Sequence, residues 1–349
     1  MPDRSSRQGS GEQFTAGRNE GNAFEAELRR PTGGGRLLNR RQLIAATSLA
    51  AVGLVGAATA VNAVAIEPLL LPRITRYRIS PEGWPPQLRL SLAVIADLHA
   101  CDPWMTVGQI EQVVHVTNLL GADAVVLLGD YVAGHKKITA VVPDADWAGA
   151  LGALRAPAGV FAVLGNHDWW EDERAQLRGR GPIGARIALE RAGIPVLEND
   201  CFKLDKGGSG YWIAGLGDQQ AFLHGRSLRS SAGPGVHDLD LTLSKVSDDS
   251  PVILLAHEPD IFPQVPNRVA VTLSGHTHGG QVRLLGRPIV APSHLSLVYN
   301  YGHYTDEGRH LIVSGGLGCS WWPVRIGVPP EVLHIVIEGS DVAQETGAV

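Results

Sequence analysis

The sequence predicts an α/β domain built on parallel strand pairs, carried behind a non-globular N-terminal segment. Three observations lead there. Apolar runs of strand length alternate with helical spacing from residue 88 to residue 164. Most of these runs stop at a polar residue of metal-ligand type. The composition, 44% hydrophobic and 19% charged with mean hydropathy +0.02, excludes a disordered chain, a coiled coil and a multi-span membrane protein.

The length of 349 residues gives a prior of about two domains. Residues 1–65 do not read as globular, so 66–349 form one large domain. Residues 1–38 are rich in Gly, Arg, Ser and Glu and are expected to be disordered. In 39–66, Arg40-Arg41 directly precede an uncharged Ala/Leu/Val/Gly stretch, which resembles a twin-arginine export signal. That stretch is long enough to span a bilayer. It reads either as a signal cleaved at Ala63-Val64-Ala65 or as a retained anchor with the N-terminus cytoplasmic. The earlier pair, Arg29-Arg30, runs into Pro31 and is the weaker signal. The protein is thus expected outside the cytoplasmic membrane, anchored or released, with the export machinery and the membrane as partners.

Residues 67–87 read as a linker. Then come a strand at 88–96, a helix at 107–120 with Ile110, Val113, Val114 and Leu120 on one face, and a strand at 124–128. A helix at 147–154 and a strand at 160–164 follow. The second half has strands at 211–216, 252–256, 269–273, 311–314 and 332–337 with fewer helices between them, which fits a mixed sheet or a second sheet. The domain ends near 338, and 339–349 read as a frayed tail.

Charge narrows the function. Residues 1–65 hold eight Arg against five acids, whereas the rest holds 22 bases (30 less 8) against 30 acids (35 less 5). An acidic domain lacks the basic footprint of a nucleic-acid binder. Cys101, Cys201 and Cys319 form no CxxC pair, which excludes a zinc ribbon and a thioredoxin-type site. Cys101 reads as a small buried hydrophobe.

Five short motifs follow apolar strands: Ala96-Asp97-Leu98-His99, Gly129-Asp130-Tyr131, Gly165-Asn166-His167-Asp168, Ala256-His257-Glu258 and Gly275-His276-Thr277-His278-Gly279-Gly280. Strand ends of one sheet converge on a common rim, so residues distant in sequence meet there. The i, i+2 pair in Asp97-Leu98-His99 places two ligands on one side of an extended segment while Leu98 turns into the core. Singly, each motif is equally a turn or a satisfied structural residue; five in order are not. Carboxylate, amide and imidazole donors suit Mn, Fe, Zn or Ni and exclude thiolate-selecting sites.

The series D-x-H, G-D, G-N-H-D, H and G-H-x-H resembles the calcineurin-like metallophosphoesterase family, in its exported or membrane-anchored bacterial branch. The resemblance implies a four-layer α/β/β/α sandwich of two mixed sheets. It implies two divalent or trivalent metal ions bridged by Asp130, with Asp97, His99 and His278 completing one site and Asn166, His257 and His276 the other. His167 matches the non-ligand histidine beside the substrate phosphate, and Asp168 the acid that orients it. Two cations about 4 Å apart would activate a water and clamp the phosphoryl oxygens, while His167 donates to the leaving oxygen. The substrate is then a phosphomonoester, phosphodiester or pyrophosphate. Relatives point to a lipid-linked or nucleotide-sugar substrate such as UDP-2,3-diacylglucosamine.

Two rivals remain. A zinc amidohydrolase would open with H-x-H where this chain has Asp97-Leu98-His99; a non-catalytic metal-binding membrane module would not need His167. Trp169-Trp170 and Trp321-Trp322 either grip substrate or pack loops. Arg283 and Arg325 either hold a second anion or sit solvated on the surface, and the basic stretch from Arg174 to Arg191 is either a flap or an exposed helix start.

Overall fold

A computed structural model describes residues 72–223, 235–289 and 295–339, and positions 41 and 48 besides. Apart from those two positions, the expected tail at 1–38 and the export segment at 39–66 lie outside the described residues, as does the C-terminal tail beyond Gly339. Contacts divide the chain into residues 1–54 and 55–349, and the fold below is that of the second unit.

Fifteen strands are described: β1 (Arg73–Ile79), β2 (Leu90–Ile95), β3 (Cys101–Asp102), β4 (Ala124–Leu127), β5 (Ala140–Val141), β6 (Val160–Ala162), β7 (Asp200–Lys206), β8 (Ser209–Gly215), β9 (Val252–Leu255), β10 (Val269–Ser274), β11 (Arg283–Leu284), β12 (Arg287–Pro288), β13 (Gly302–Asp306), β14 (Arg309–Val313) and β15 (Glu331–Ile337). Eleven of them build two mixed sheets, ordered β1-β15-β2-β4-β6 and β13-β14-β10-β9-β8-β7. Within each sheet the central site-bearing strands run parallel: β2 with β4 and β6, and β9 with β8 and β10.

Side-chain alternation explains the layering. In β2, Leu90, Leu92 and Val94 enter the core between the sheets, where Ile253 and Leu255 of β9 meet them. Ala93 and Ile95 point the other way, onto the helices Val107–Leu119, Asp144–Leu151 and Gly184–Arg191. On the far side of the second sheet, Val252 and Leu254 face a third cluster that includes Ile261 and the partly buried Leu239 and Leu243. Helix, sheet, sheet and helix are therefore stacked as four layers.

The helix Val107–Leu119 starts at a capping box: Thr106 Oγ1 accepts from Gln109 N and Gln109 Oε1 accepts from Thr106 N. The helix expected at 147–154 begins earlier, at Asp144, where Asp144 and Asp146 favour the positive end of its dipole.

One expectation is overturned. The linker of residues 67–87 contains β1, which pairs in parallel with β15 along its whole length. Three arginines disguise it, because this edge strand buries only part of one face. The hairpin partners β7 and β13 escape the hydrophobic pattern for the same reason; both are largely exposed.

Candidate metal centre

Each motif sits where a strand ends and the backbone turns. Asp97 and His99 follow β2, Asp130 follows β4 and Asn166 follows β6; His257 follows β9, and His276 and His278 follow β10. Five of these residues hold left-handed backbone: Asp97 (φ 52°), His99 (48°), Asp130 (58°), His276 (67°) and His278 (51°). Such a conformation costs roughly 1–2 kcal/mol for a residue with a Cβ. Backbone bonds pin it here, for Asp97 N donates to Gly129 O (3.1 Å) and His99 N to Asp130 O (3.0 Å). Leu98 is buried in the helix-facing core as its spacing predicts. The Asp97-Leu98-His99 segment is not extended, however; two left-handed turns, not a strand, aim the pair.

Two glycines let the rims approach. A Cβ on Gly275 would fall 2.5 Å from Asp97 Oδ2, and one on Gly165 would overlap the Asp130 carboxylate and the His257 ring.

The resulting cluster is buried and dense. Ligand atoms of Asp97, His99, Asp130 and His278 lie within 4.8 Å of one another, and those of Asp130, His257 and His276 do likewise. Asp130 belongs to both groups: its Oδ2 is 3.5 Å from His99 Nε2 and 3.3 Å from His257 Nε2. Asn166 Oδ1 joins the second group, 3.2 Å from His257 Nε2 and 2.8 Å from His276 Nδ1. His278 Nε2 lies 3.6 Å from Asp97 Oδ1 and 3.0 Å from His99 Nε2. All seven residues singled out as ligands therefore surround one pair of sites.

The donor set fits divalent cations. Asp97 Oδ2 is buried and has no hydrogen-bond partner. Nδ1 of His99 and of His257 each face a backbone carbonyl, Val132 O at 2.9 Å and Leu128 O at 2.6 Å. That fixes an N–H on Nδ1 and turns Nε2 of each ring toward Asp130 Oδ2. Burial pushes the His99 and His276 imidazoles down to about 3, so both are neutral, the form that binds metal. Burial opposes ionisation of Asp130 too, but the His257 and His167 imidazoles, whose own pKa values the Asp130 carboxylate raises, hold it well below the usual carboxylate range.

His167 stands beside these groups. Its backbone N donates to Asp130 Oδ1 (2.9 Å), and its Nε2 lies 3.1 Å from Ser320 Oγ. Burial lowers its pKa, yet the Asp130 and Glu171 carboxylates outweigh that and raise it. The carboxylate nearest His167 Nδ1 is Glu171, 3.9 Å away, and this corrects the role expected of Asp168. Asp168 accepts from the backbone N of Gly165, Asp130, Tyr131 and Val132 (2.8–3.3 Å), which leaves it nothing for the imidazole. It shapes the loops that carry Asp130 and Asn166.

Sequence reasoning missed Glu171, although its i+4 spacing from His167 was visible. It missed Ser320, Gln220 (Nε2 3.4 Å from His276 Nε2) and the setting of Arg325. Arg325 is fully buried, neither solvated nor open to an anion. Its guanidinium donates to the carbonyls of Gly318, Gly315 and Val328 and lies 3.3 Å from His278 Nδ1. Arg283 donates to Gly279 O and Asn300 Oδ1. Trp169 is buried against Phe222; Trp170 donates to Gln220 O and stands edge-on to the His167 ring at 5.1 Å; Trp321 and Trp322 are more than half exposed. Cys101, Cys201 and Cys319 are free thiols.

The calcineurin-like phosphoesterase family profile matches residues 90–280, more than half the chain. A metallophosphoesterase of Aquifex aeolicus is 30% identical over 274 residues, 76% of this chain and 92% of that one. The chain belongs to the calcineurin-like phosphoesterase family. As such it is a hydrolase of phosphoric ester bonds that uses divalent metal ions. A transmembrane protein with a metallophosphoesterase domain from Danio rerio is 28% identical over 85% of this chain and 62% of its own length. Among solved structures, the NAD nucleotidase of Haemophilus influenzae resembles the phosphoesterase with a TM-score of 0.42 at 16% identity, over 66% of this chain and 46% of that one. Among the described residues, no helix is long and apolar enough to cross a membrane.

Proposed function

We propose that this phosphoesterase works on the outer side of the cytoplasmic membrane, cleaving a phosphomonoester, phosphodiester or pyrophosphate bond, with a lipid-linked or nucleotide-sugar substrate of the UDP-2,3-diacylglucosamine type as the leading class. The single observation that carries hydrolysis is the shared position of Asp130 in both ligand groups. Asp97, His99, Asp130 and His278 would hold one ion and Asp130, Asn166, His257 and His276 the other. Mn, Fe, Zn or Ni suits the oxygen and nitrogen donors. Bound there, such ions supply Lewis-acid polarisation of the phosphoryl group and a nucleophilic water.

The protein's own groups do the rest. His167, its pKa raised, keeps a proton for the leaving oxygen. Ser320 Oγ faces Nε2 at 3.1 Å and holds the ring in place. Asn166, a neutral amide, adds a donor without adding negative charge, which leaves the cluster able to attract a phosphate. Asp168 gathers the amides that set the height of Asp130.

The cellular place rests on the sequence: Arg40-Arg41 ahead of an uncharged stretch through Ile66 supports twin-arginine export, with the stretch cleaved or kept as an anchor. The membrane setting in the name of the Danio rerio relative supports the second outcome.

The test is hydrolysis of p-nitrophenyl phosphate and bis-p-nitrophenyl phosphate with added Mn, beside His167→Ala. We expect metal-dependent turnover that falls at least about tenfold in the variant. Equal rates in both would remove His167 from the mechanism, and no metal dependence would end the hydrolase reading.

A further inference from the structure

Beside the metal centre lies a set of exposed apolar side chains that no described residue covers. Leu285, at the tip between β11 and β12, is 96% exposed; Leu284, Ile289, Trp321 and Trp322 are each more than half exposed. Gln281 ties the segment that leads into β11 to the loop of Trp321 and Trp322. Its side-chain Nε2 donates to Trp322 O (2.8 Å) and Val324 O (2.9 Å), and its Oε1 accepts from Ser320 N (2.7 Å). A cavity of about 140 Å³ is lined by His276, His278, Gln281, Ser320, Trp321 and Trp322. Clustered exposed apolar side chains next to a site mark a binding surface.

Charge identifies what it binds. The domain is acidic, yet residues 275–289 and 315–330, which include the five apolar residues, contain no Asp or Glu. Arg287, Lys136 and Lys137 are exposed around it, and Lys137 Nζ sits 5.2 Å over the Trp322 ring. Leucines at a hairpin tip, tryptophans at its base and basic heads at the margin match the depth profile of a membrane interface. The chain also arrives on this side. Arg73, the first residue of β1, pairs with Glu331. Glu331 N donates to Gly316 O, and Gly316 abuts Asp97. Tyr301 links Glu331 to the hairpin: its hydroxyl donates to Glu331 Oε2 (3.0 Å), and Arg283 lies 5.5 Å over its ring. The uncharged stretch ends at Ile66, seven residues before Arg73, a reach of at most about 25 Å.

We propose that this rim docks on an anionic phospholipid surface, with Leu284, Leu285, Ile289, Trp321 and Trp322 in the interface and Arg287, Lys136 and Lys137 against the headgroups. The proposal rests on the reading that the enzyme works at a membrane. It turns the mouth of the metal centre to the bilayer and selects phosphate esters presented there.

The full chain, reconstituted into phosphatidylcholine–phosphatidylglycerol vesicles with brominated acyl chains, tests it, since bromine quenches only tryptophans that touch lipid. The stretch ahead of Arg73 contains no tryptophan, so the readout ignores any anchor. Quenching is expected to fall at least about twofold in the doubly substituted Trp321→Phe/Trp322→Phe chain and in Leu285→Asp, and to weaken without phosphatidylglycerol. Equal quenching in all variants overturns the proposal. So does a dimer in detergent that Leu285→Asp splits, which would give the rim to a second copy. Turnover of bis-p-nitrophenyl phosphate in detergent should be the same in Leu285→Asp as in the parent chain. Loss of turnover in both, with quenching intact, would sink the hydrolase reading and leave the docking rim standing.

Discussion

The two sheets contribute unequally to the centre they share. The first brings every oxygen donor, Asp97, Asp130 and Asn166, together with His99; the second brings only imidazoles, His257, His276 and His278. Their supports differ as well. On the first rim, Asp168 collects four backbone amides, so one carboxylate sets the loops after β4 and β6. On the second, His257 Nδ1 bonds Leu128 O, just past the end of β4, and Arg325 ties the Gly315, Gly318 and Val328 carbonyls beneath His278. Neither rim is a metal site alone. The centre is a joint between sheets, and its anionic ligand residues come from one side only.

That division can be broken experimentally. The largest effect should come from Asp130→Asn, since this carboxylate faces both groups: turnover should drop at least about a hundredfold, and elemental analysis should find less than one tightly held ion. Two ions retained would refute the shared bridge. Next, His278→Ala and His257→Ala should each cost one ion, and reciprocally. The first leaves the Asp130–Asn166–His276 side loaded and the second leaves the Asp97–His99 side loaded, each with turnover reduced at least about tenfold. Loss of both ions from either variant would mean one cooperative site. The smallest change should follow Glu171→Gln. Glu171 raises the His167 pKa, so removing its charge lowers that pKa. The limb of the rate–pH profile that requires protonated His167 should then move to lower pH, with the ion content unchanged and turnover at its best pH altered only a few-fold. An unmoved limb would detach Glu171 from His167.

The buried strands were legible because a strand enclosed on both faces must be a continuous apolar run: 124–128 and 252–256 foretell β4 and β9 to within a residue. Edge strands carry no such obligation, and β1, with Arg73, Arg76 and Arg78, reads as linker until β15 is seen beside it. The ligand residues showed themselves by position, each just past an apolar run. What surrounds them did not. Whether Asp168 points at an imidazole or at four amides depends on where the Asp130 loop passes, and sequence spacing is silent on that. Arg325 misled for a related reason: a guanidinium reads as surface unless enough carbonyls gather round it, and those carbonyls come from glycine-rich turns brought together only in three dimensions.

The left-handed backbone at five ligand-bearing residues has one more consequence. Such conformers persist only where the surroundings over-determine them. Here the surrounding strands and the amide cradle of Asp168 do so. The cage hangs on the strand ends of sheets that have buried apolar cores of their own, unlike small zinc modules whose fold depends on their ion. A chelator should empty it while circular dichroism still shows intact strands, and refilling should restore turnover without a refolding lag.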